Sequence, residues 1–157
     1  MGRVIGIARR KKSRDPMEKL EEATISTELG LVGDCKGAKF PERQITILAI
    51  EDWKAALALL GVIDLDWTVR RANLLVRDIK LPRGRGSQIT IGDVIVEVRD
   101  RTSPCQQMEN AHAGLRKALS GDWRGGVSCR VIGGGEIKIG DSVKTILEVR
   151  ETIIRLP

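Results

Sequence analysis

Three cysteines and one histidine are the side chains of this 157-residue chain most suited to nucleophilic or metal chemistry. Cys35, Cys105 and Cys129 are widely and unevenly spaced, and no two of them form a Cys-x-x-Cys pair. That spacing makes neither a zinc site with His112 nor a disulfide framework. Cys105 stands apart through its neighbours, Ser103-Pro104-Cys105-Gln106-Gln107-Met108. Pro104 has no N–H to give to a ladder, so strand pairing should stop there. Met108, Ala111, His112, Leu115 and Leu119 then form one helical stripe, which predicts a helix over about 106–120, ended by Gly121. Cys105 is therefore expected at a strand-to-helix junction, where unpaired backbone N–H groups favour a thiolate. Position alone leaves two readings open: a reactive or metal-ligating sulfur, or an inert buried cysteine. His112 lies about 10 Å further along the same helix, too far for a Cys–His catalytic pair, and is expected to pack on the stripe. Cys35 falls in the loop-like Gly33-Asp34-Cys35-Lys36-Gly37 and Cys129 in a strand-like run. Gly133, Gly134 and Gly135 precede no helix, so they read as a turn rather than a dinucleotide fingerprint.

The elements that must position these residues are mostly strands. Arg3–Ala8, Ala23–Leu29, Gln44–Ile50, Thr68–Val76, Ile89–Val98, Val127–Ile132, Glu136–Ile139 and Ser142–Val149 carry short apolar or alternating runs. One helix interrupts them at 51–60: Trp53, Ala56, Leu57 and Leu60 form its stripe, Glu51 and Asp52 suit its first turn, and Gly61 supplies its stop. Trp53 is thus expected in the core. The basic run Arg9–Pro16 reads as an exposed loop. Pro82-Arg83-Gly84-Arg85-Gly86-Ser87 reads as a plain loop, with nucleic-acid contact as the alternative. Ile89-Thr90-Ile91-Gly92-Asp93-Val94 and Ile137-Lys138-Ile139-Gly140-Asp141-Ser142-Val143 repeat one pattern, and a Gly-Asp pair between β runs is a hairpin signal. Short strands, tight turns and two helices predict a mainly β fold, a closed or nearly closed barrel with helical decoration.

Composition agrees. Hydrophobic residues are 41%, charged residues 31% and aromatics 3%, with no Tyr and a single Phe, so a globular core must come from Ile, Val and Leu, which favours sheet. The length fits one domain, 1–157. No apolar run approaches the roughly 20 residues of a membrane span, and the first residues lack a secretory pattern. With unpaired cysteines, this points to a reducing, cytoplasmic setting. The formal charge of +6 would attract an anionic partner, or is simply a solvated surface. The scarcity of aromatics for base stacking speaks against nucleic acid.

Several segments, in order, resemble the MOSC family, named for the C-terminal domain of molybdenum-cofactor sulfurases. They are Gly30-Leu31-Val32-Gly33-Asp34, Arg71-Ala72-Asn73-Leu74-Leu75-Val76, Gly86 to Val94 with Ile91-Gly92-Asp93, Pro104-Cys105, Trp123-Arg124-Gly125-Gly126-Val127, and Gly134-Gly135-Glu136-Ile137-Lys138-Ile139-Gly140-Asp141. The resemblance implies a MOSC-type β-barrel and puts Cys105 at the family's Pro-Cys position. There it would ligate molybdenum, as in reductases of N-hydroxylated compounds, or carry sulfur as a persulfide, as proposed for sulfurases. It implies the molybdenum cofactor as ligand, an anionic pterin. Arg71 and Arg124 would supply forked donors to its phosphate or pterin oxygens, Asn73 a donor and acceptor, and Gly125 and Gly126 backbone N–H groups. Each also has a plain alternative, as surface charge or simple turn. The larger family enzymes add a second barrel, redox domains or a desulfurase domain, for which these residues leave no room. The cofactor is therefore expected to be partly exposed, shared at a homodimer interface, or handed to a redox or sulfur-donor protein.

Overall fold

The computed structural model describes residues 2–150, so residues 1 and 151–157 of the expected domain lie outside the described residues. Seven strands close into a ring: β1 (Gly2–Arg9), β5 (Ile45–Ala49), β6 (Leu74–Arg77), β7 (Gln88–Ile91), β8 (Val94–Arg101), β9 (Val127–Gly133) and β11 (Ser142–Leu147). Around the ring the order is β11, β7, β8, β9, β5, β6, β1, and β1 pairs with β11 to close it. Every pairing is antiparallel except β5 with β6. A short β2 (Glu18–Leu20) adds to the end of β1. A second, three-stranded sheet joins β3 (Glu22–Ser26), β4 (Gly30–Leu31) and β10 (Gly135–Lys138).

The barrel interior is filled by alternate residues of its strands, among them Val4, Ile7, Ile45, Ile47, Leu74, Val76, Ile89, Ile91, Val94, Val96, Val98 and Cys129. β5 is buried along its whole length because both its faces are covered. Ile45, Ile47 and Ala49 face inward, Leu48 lies under the helices, and Thr46 faces a polar cluster. The helical layer is α1 (Ile50–Leu60), α2 (Gln106–Ala111) and α3 (Leu115–Ser120), packed through Trp53, Ala56, Leu57, Met108, Leu115 and Leu119. Trp53 is in the core as its spacing predicts, its indole N–H donating to Leu65 O at 3.1 Å.

The structure differs from the sequence reading in three places. The second helical region breaks at residues 112–114 into α2 and α3. Gly114 there has φ +86, and a Cβ would come within 2.8 Å of the Leu60 methyl, so the break lets α3 approach α1 closely. The segment read as one strand, Thr68–Val76, is a 3₁₀ turn (Trp67–Arg70) followed by β6. The Asp66 carboxylate accepts from Thr68 N at 2.9 Å and starts the turn. Of the two Gly-Asp pairs, Gly92-Asp93 makes the β7–β8 hairpin. Gly140-Asp141 instead carries the chain between sheets, since β10 pairs with β3 and β11 with β7 and β1.

Candidate functional site around Cys105

β8 ends at Arg101, and Thr102 leaves the sheet with its N–H donating to Gly126 O at 2.9 Å. Three residues later Cys105 caps α2, with an extended backbone (φ −118°, ψ −179°) and its carbonyl accepting from Met108 N at 3.0 Å. Its thiol makes no capping bond and is exposed. Cys35 is half-buried and Cys129 is sealed in the barrel, where burial pushes its thiol far up. All three are free. The junction predicted from Pro104 is therefore present. The helix it opens has six residues, so its dipole contributes only a first turn's worth of N–H groups.

The charges nearest Cys105 come from the turn before β6. Arg70 is 5% exposed and clamps the two segments that flank the cysteine: Nε donates to Gly125 O and Nη2 to Thr102 O, both at 3.0 Å. Burial pushes this guanidinium down to about 10, opposed by a thiolate at Cys105, so it is still charged at neutral pH. Arg71 has a left-handed backbone (φ +65°) that turns its side chain towards α2. It donates to Gln107 Oε1, two residues beyond Cys105, and to Asp15 O at 2.8 Å. Burial lowers it as well, with Arg10 adding and Cys105 and Cys35 opposing.

Two further cations complete the cluster. The Lys36 ammonium donates to Thr46 Oγ1 at 3.0 Å, and burial pushes it down to about 8; Asp34 opposes, while Arg10 and Arg70 add. Arg10 is anchored by its backbone: its N–H donates to Asp34 Oδ1 at 3.1 Å, and its carbonyl accepts from Cys35 N at 2.8 Å. Its Nη1 is buried and has no hydrogen-bond partner among the described residues. Lys36 is thus repelled by Arg10 and Arg70, and Arg71 by Arg10, while Asp34 is the carboxylate beside Lys36 and Arg10.

Of the residues expected in the site, Cys105 and Arg71 are brought together. Asn73 is fully buried beneath them. Its Oδ1 accepts from Thr46 N at 3.0 Å and Oγ1 at 3.3 Å, and its Nδ2 donates to Ala8 O at 3.3 Å. It touches the cluster through Thr46, which receives the Lys36 ammonium. Arg124 goes elsewhere: its Nη1 donates to Ala118 O of α3 at 3.0 Å. Gly125 and Gly126 sit against protein, not open space. A Cβ on Gly125 would meet Thr102 O and the Arg70 guanidinium, and one on Gly126 would overlap Ile47 O. Sequence reasoning missed Arg10, Lys36 and Arg70. Arg70 adjoins the matched segment that begins at Arg71, and Lys36 adjoins Cys35, but neither carries a spacing signal. His112, expected on the stripe, ends α2 half-buried, with its Nδ1 2.9 Å from Ala113 O.

A model of the MOSC domain matches residues 33–144. The chain belongs to the MOSC domain family. Solved structures agree with this MOSC fold. The YuaD protein from Bacillus subtilis superposes with a TM-score of 0.74 at 17% identity, covering 91% of this chain and 94% of that one. YiiM from Geobacillus stearothermophilus gives 0.74 at 14% identity over 93% and 75% of the two chains. YiiM from Escherichia coli gives 0.68 at 18% over 95% and 72%. No curated protein sequence matches significantly. No helix among the described residues is long and apolar enough to cross a membrane.

Proposed function

We propose that this MOSC domain holds the molybdenum cofactor against the cationic cluster beside Cys105, with the Cys105 thiolate as the protein's ligand to the metal. The observation that carries the reading is the charge imbalance: four partly or wholly buried cations lie together, Asp34 offsets Lys36 but no carboxylate offsets Arg70 or Arg71, and Arg10 Nη1 is buried without an acceptor among the described residues. Buried charge persists where it is paired, so such a cluster fits an anion with several oxygens, as a pterin phosphate has. Among the described residues no three of His, Cys, Asp and Glu group to hold a metal. A metal delivered with its own dithiolene sulfurs needs only one thiolate from the protein, and soft sulfur suits it. When bound, the group would supply two-electron redox chemistry.

The chain's own residues have separable roles. Arg70 fixes the Thr102 and Gly125 segments and keeps a positive charge next to the thiolate. Arg71 orients α2 through Gln107 and presents the guanidinium expected at the cofactor. Lys36 and Arg10 offer the donors that an anion would satisfy. Asn73 serves from beneath by fixing Thr46. Gly125 and Gly126 let the 123–127 turn approach β5, and Arg124 pins that turn to α3. The enzyme reading is the catalytic subunit of a reductase of N-hydroxylated compounds, with electrons from a partner protein.

A sulfur carrier reading uses the same thiol and draws on its exposure, which suits hand-over of a persulfide between proteins. Protein purified from a host that makes the cofactor separates the two. Under the first reading, molybdenum and an oxidised-pterin fluorophore co-purify in equal amounts. Cyanide-releasable sulfur on Cys105 without molybdenum would favour the second and remove the first.

A further inference from the structure

At the barrel mouth, where β5 passes into α1 and β6 into the 78–85 loop, lies a cavity of about 390 Å³. Small-molecule sites span roughly 300–1,000 Å³. Its floor is the apolar end of the barrel core, formed by Ala49, Leu81 and Val127. One wall is Trp123, in a chain with three Trp and a single Phe. Trp53 is consumed by the helical layer, whereas Trp123 is half-buried with its ring at the cavity. The backbone is strained around it: Asp78, Asp122 and Trp123 have φ of +57°, +49° and +57°. These are three of the five described non-glycine residues with positive φ, and such strain persists only where surroundings impose it.

Four carboxylates, Glu51, Asp52, Asp78 and Asp122, line the cavity on a chain that carries +6 overall. Of the lining carboxylates, Asp122 is ion-paired to Arg83 at 2.8 Å and Asp78 to Arg77 at 3.7 Å, and Lys80 also lines the cavity. Arg83 is already engaged: its Nη2 donates to the Asp122 carbonyl at 2.7 Å and carboxylate at 2.8 Å, and its guanidinium lies 5.6 Å from the Trp123 ring centroid. Glu51 accepts from Asp78 N at 2.6 Å. Asp52 is half-buried. Burial pushes its carboxyl up; Asp122 and Glu51 add to the push, Arg83 and Arg124 oppose it, and no hydrogen bond contributes. Asp52 is the lining carboxylate with neither an ion pair nor a hydrogen bond among the described residues.

We infer that this cavity binds an organic cation, a primary ammonium or guanidinium on an apolar or flat body, with Asp52 as counter-charge and Trp123 as the packing face. The apolar floor takes the body, and the unshared carboxylate takes the charge. Trp123 also borders a smaller hollow of about 140 Å³ walled by Ser103 and Pro104, so this residue stands between the cavity and the segment that carries Cys105. The inference does not depend on what Cys105 binds.

The test titrates the full chain with phenethylamine and, in parallel, with phenylacetate, which keeps the ring and reverses the charge. Calorimetry and tryptophan fluorescence follow binding. The expected result is saturable one-to-one binding of the amine and none of the acid. Asp52→Asn should weaken the amine by about tenfold or more, since a charged hydrogen bond contributes about 1.5–3 kcal/mol. Asp52→Glu should retain it, and Trp123→Leu should weaken it. Melting temperature and the rate of Cys105 alkylation should be unchanged in Asp52→Asn. Equal binding of amine and acid, undiminished binding by Asp52→Asn, or no saturable binding of the amine would each overturn the inference.

Discussion

Cys105 is set apart from its two sisters by access and by company. Its thiol is exposed beside Arg70 and Arg71, Cys35 is half-buried, and Cys129 lies inside the barrel. Alkylation at neutral pH, followed residue by residue by mass spectrometry, should therefore run Cys105 first, Cys35 second and Cys129 last. A slow Cys105 in cofactor-free protein would contradict its role as the active sulfur. Lys36 gives a second prediction. Its ammonium falls from 10.5 in water to about 8 when folded. Between these values the unfolded chain holds a proton that the folded chain has released, so stability rises as pH goes from about 8 to 10.5. Below 8 the full cost persists, of the order of 3 kcal/mol. Lys36→Met should therefore stabilise the cofactor-free protein near pH 7 and flatten the alkaline rise, as measured by urea unfolding. Wild-type protein should also bind pyrophosphate more weakly as pH rises past about 8, where the ammonium is lost. Asn73 behaves differently. Removing an amide that satisfies Thr46 and Ala8 leaves buried groups unpaired, and Asn73→Ala should cost about 2–4 kcal/mol of stability.

At the scale of elements, the 123–127 turn tolerates little change. Gly126 has φ +92°, and a Cβ there would run into Ile47 O of β5. Gly61, which ends α1 at φ +67°, faces open space. Gly61→Ala should cost only the left-handed penalty, about 1 kcal/mol. Gly126→Ala should cost about 3 kcal/mol or more, because the turn must also move away from β5. Equal melting temperatures for the two variants would refute this close approach. The strands were legible because alternation and apolar runs report burial locally: β8 shows Val94, Val96 and Val98 inward as written. The 3₁₀ turn at Trp67–Arg70 was not, because Thr68 and Val69 favour strand and only the Asp66 cap decides otherwise. Cys105 was legible from Pro104 and the stripe behind it. Arg10, Lys36 and Arg70 were not, because β1, the Gly33–Gly37 loop and the 3₁₀ turn meet only once the barrel has closed.

For the whole molecule, a seven-strand ring with its own apolar interior supports a site built outside it. Thr46 and Asn73 sit on the outer face of β5 and at the start of β6, and the cations gather over them. Cys105 contributes nothing to either apolar cluster. Cys105→Ala should therefore keep the wild-type circular dichroism and melting temperature, which makes it a clean probe of the central claim. The deciding measurement is molybdenum per chain, by elemental mass spectrometry, in wild-type and Cys105→Ala protein purified side by side from a host that makes the cofactor. Molybdenum is expected in the folded wild-type protein and should be lost, by about tenfold or more, from an equally folded Cys105→Ala. Equal molybdenum in the two proteins would contradict Cys105 as the metal's ligand.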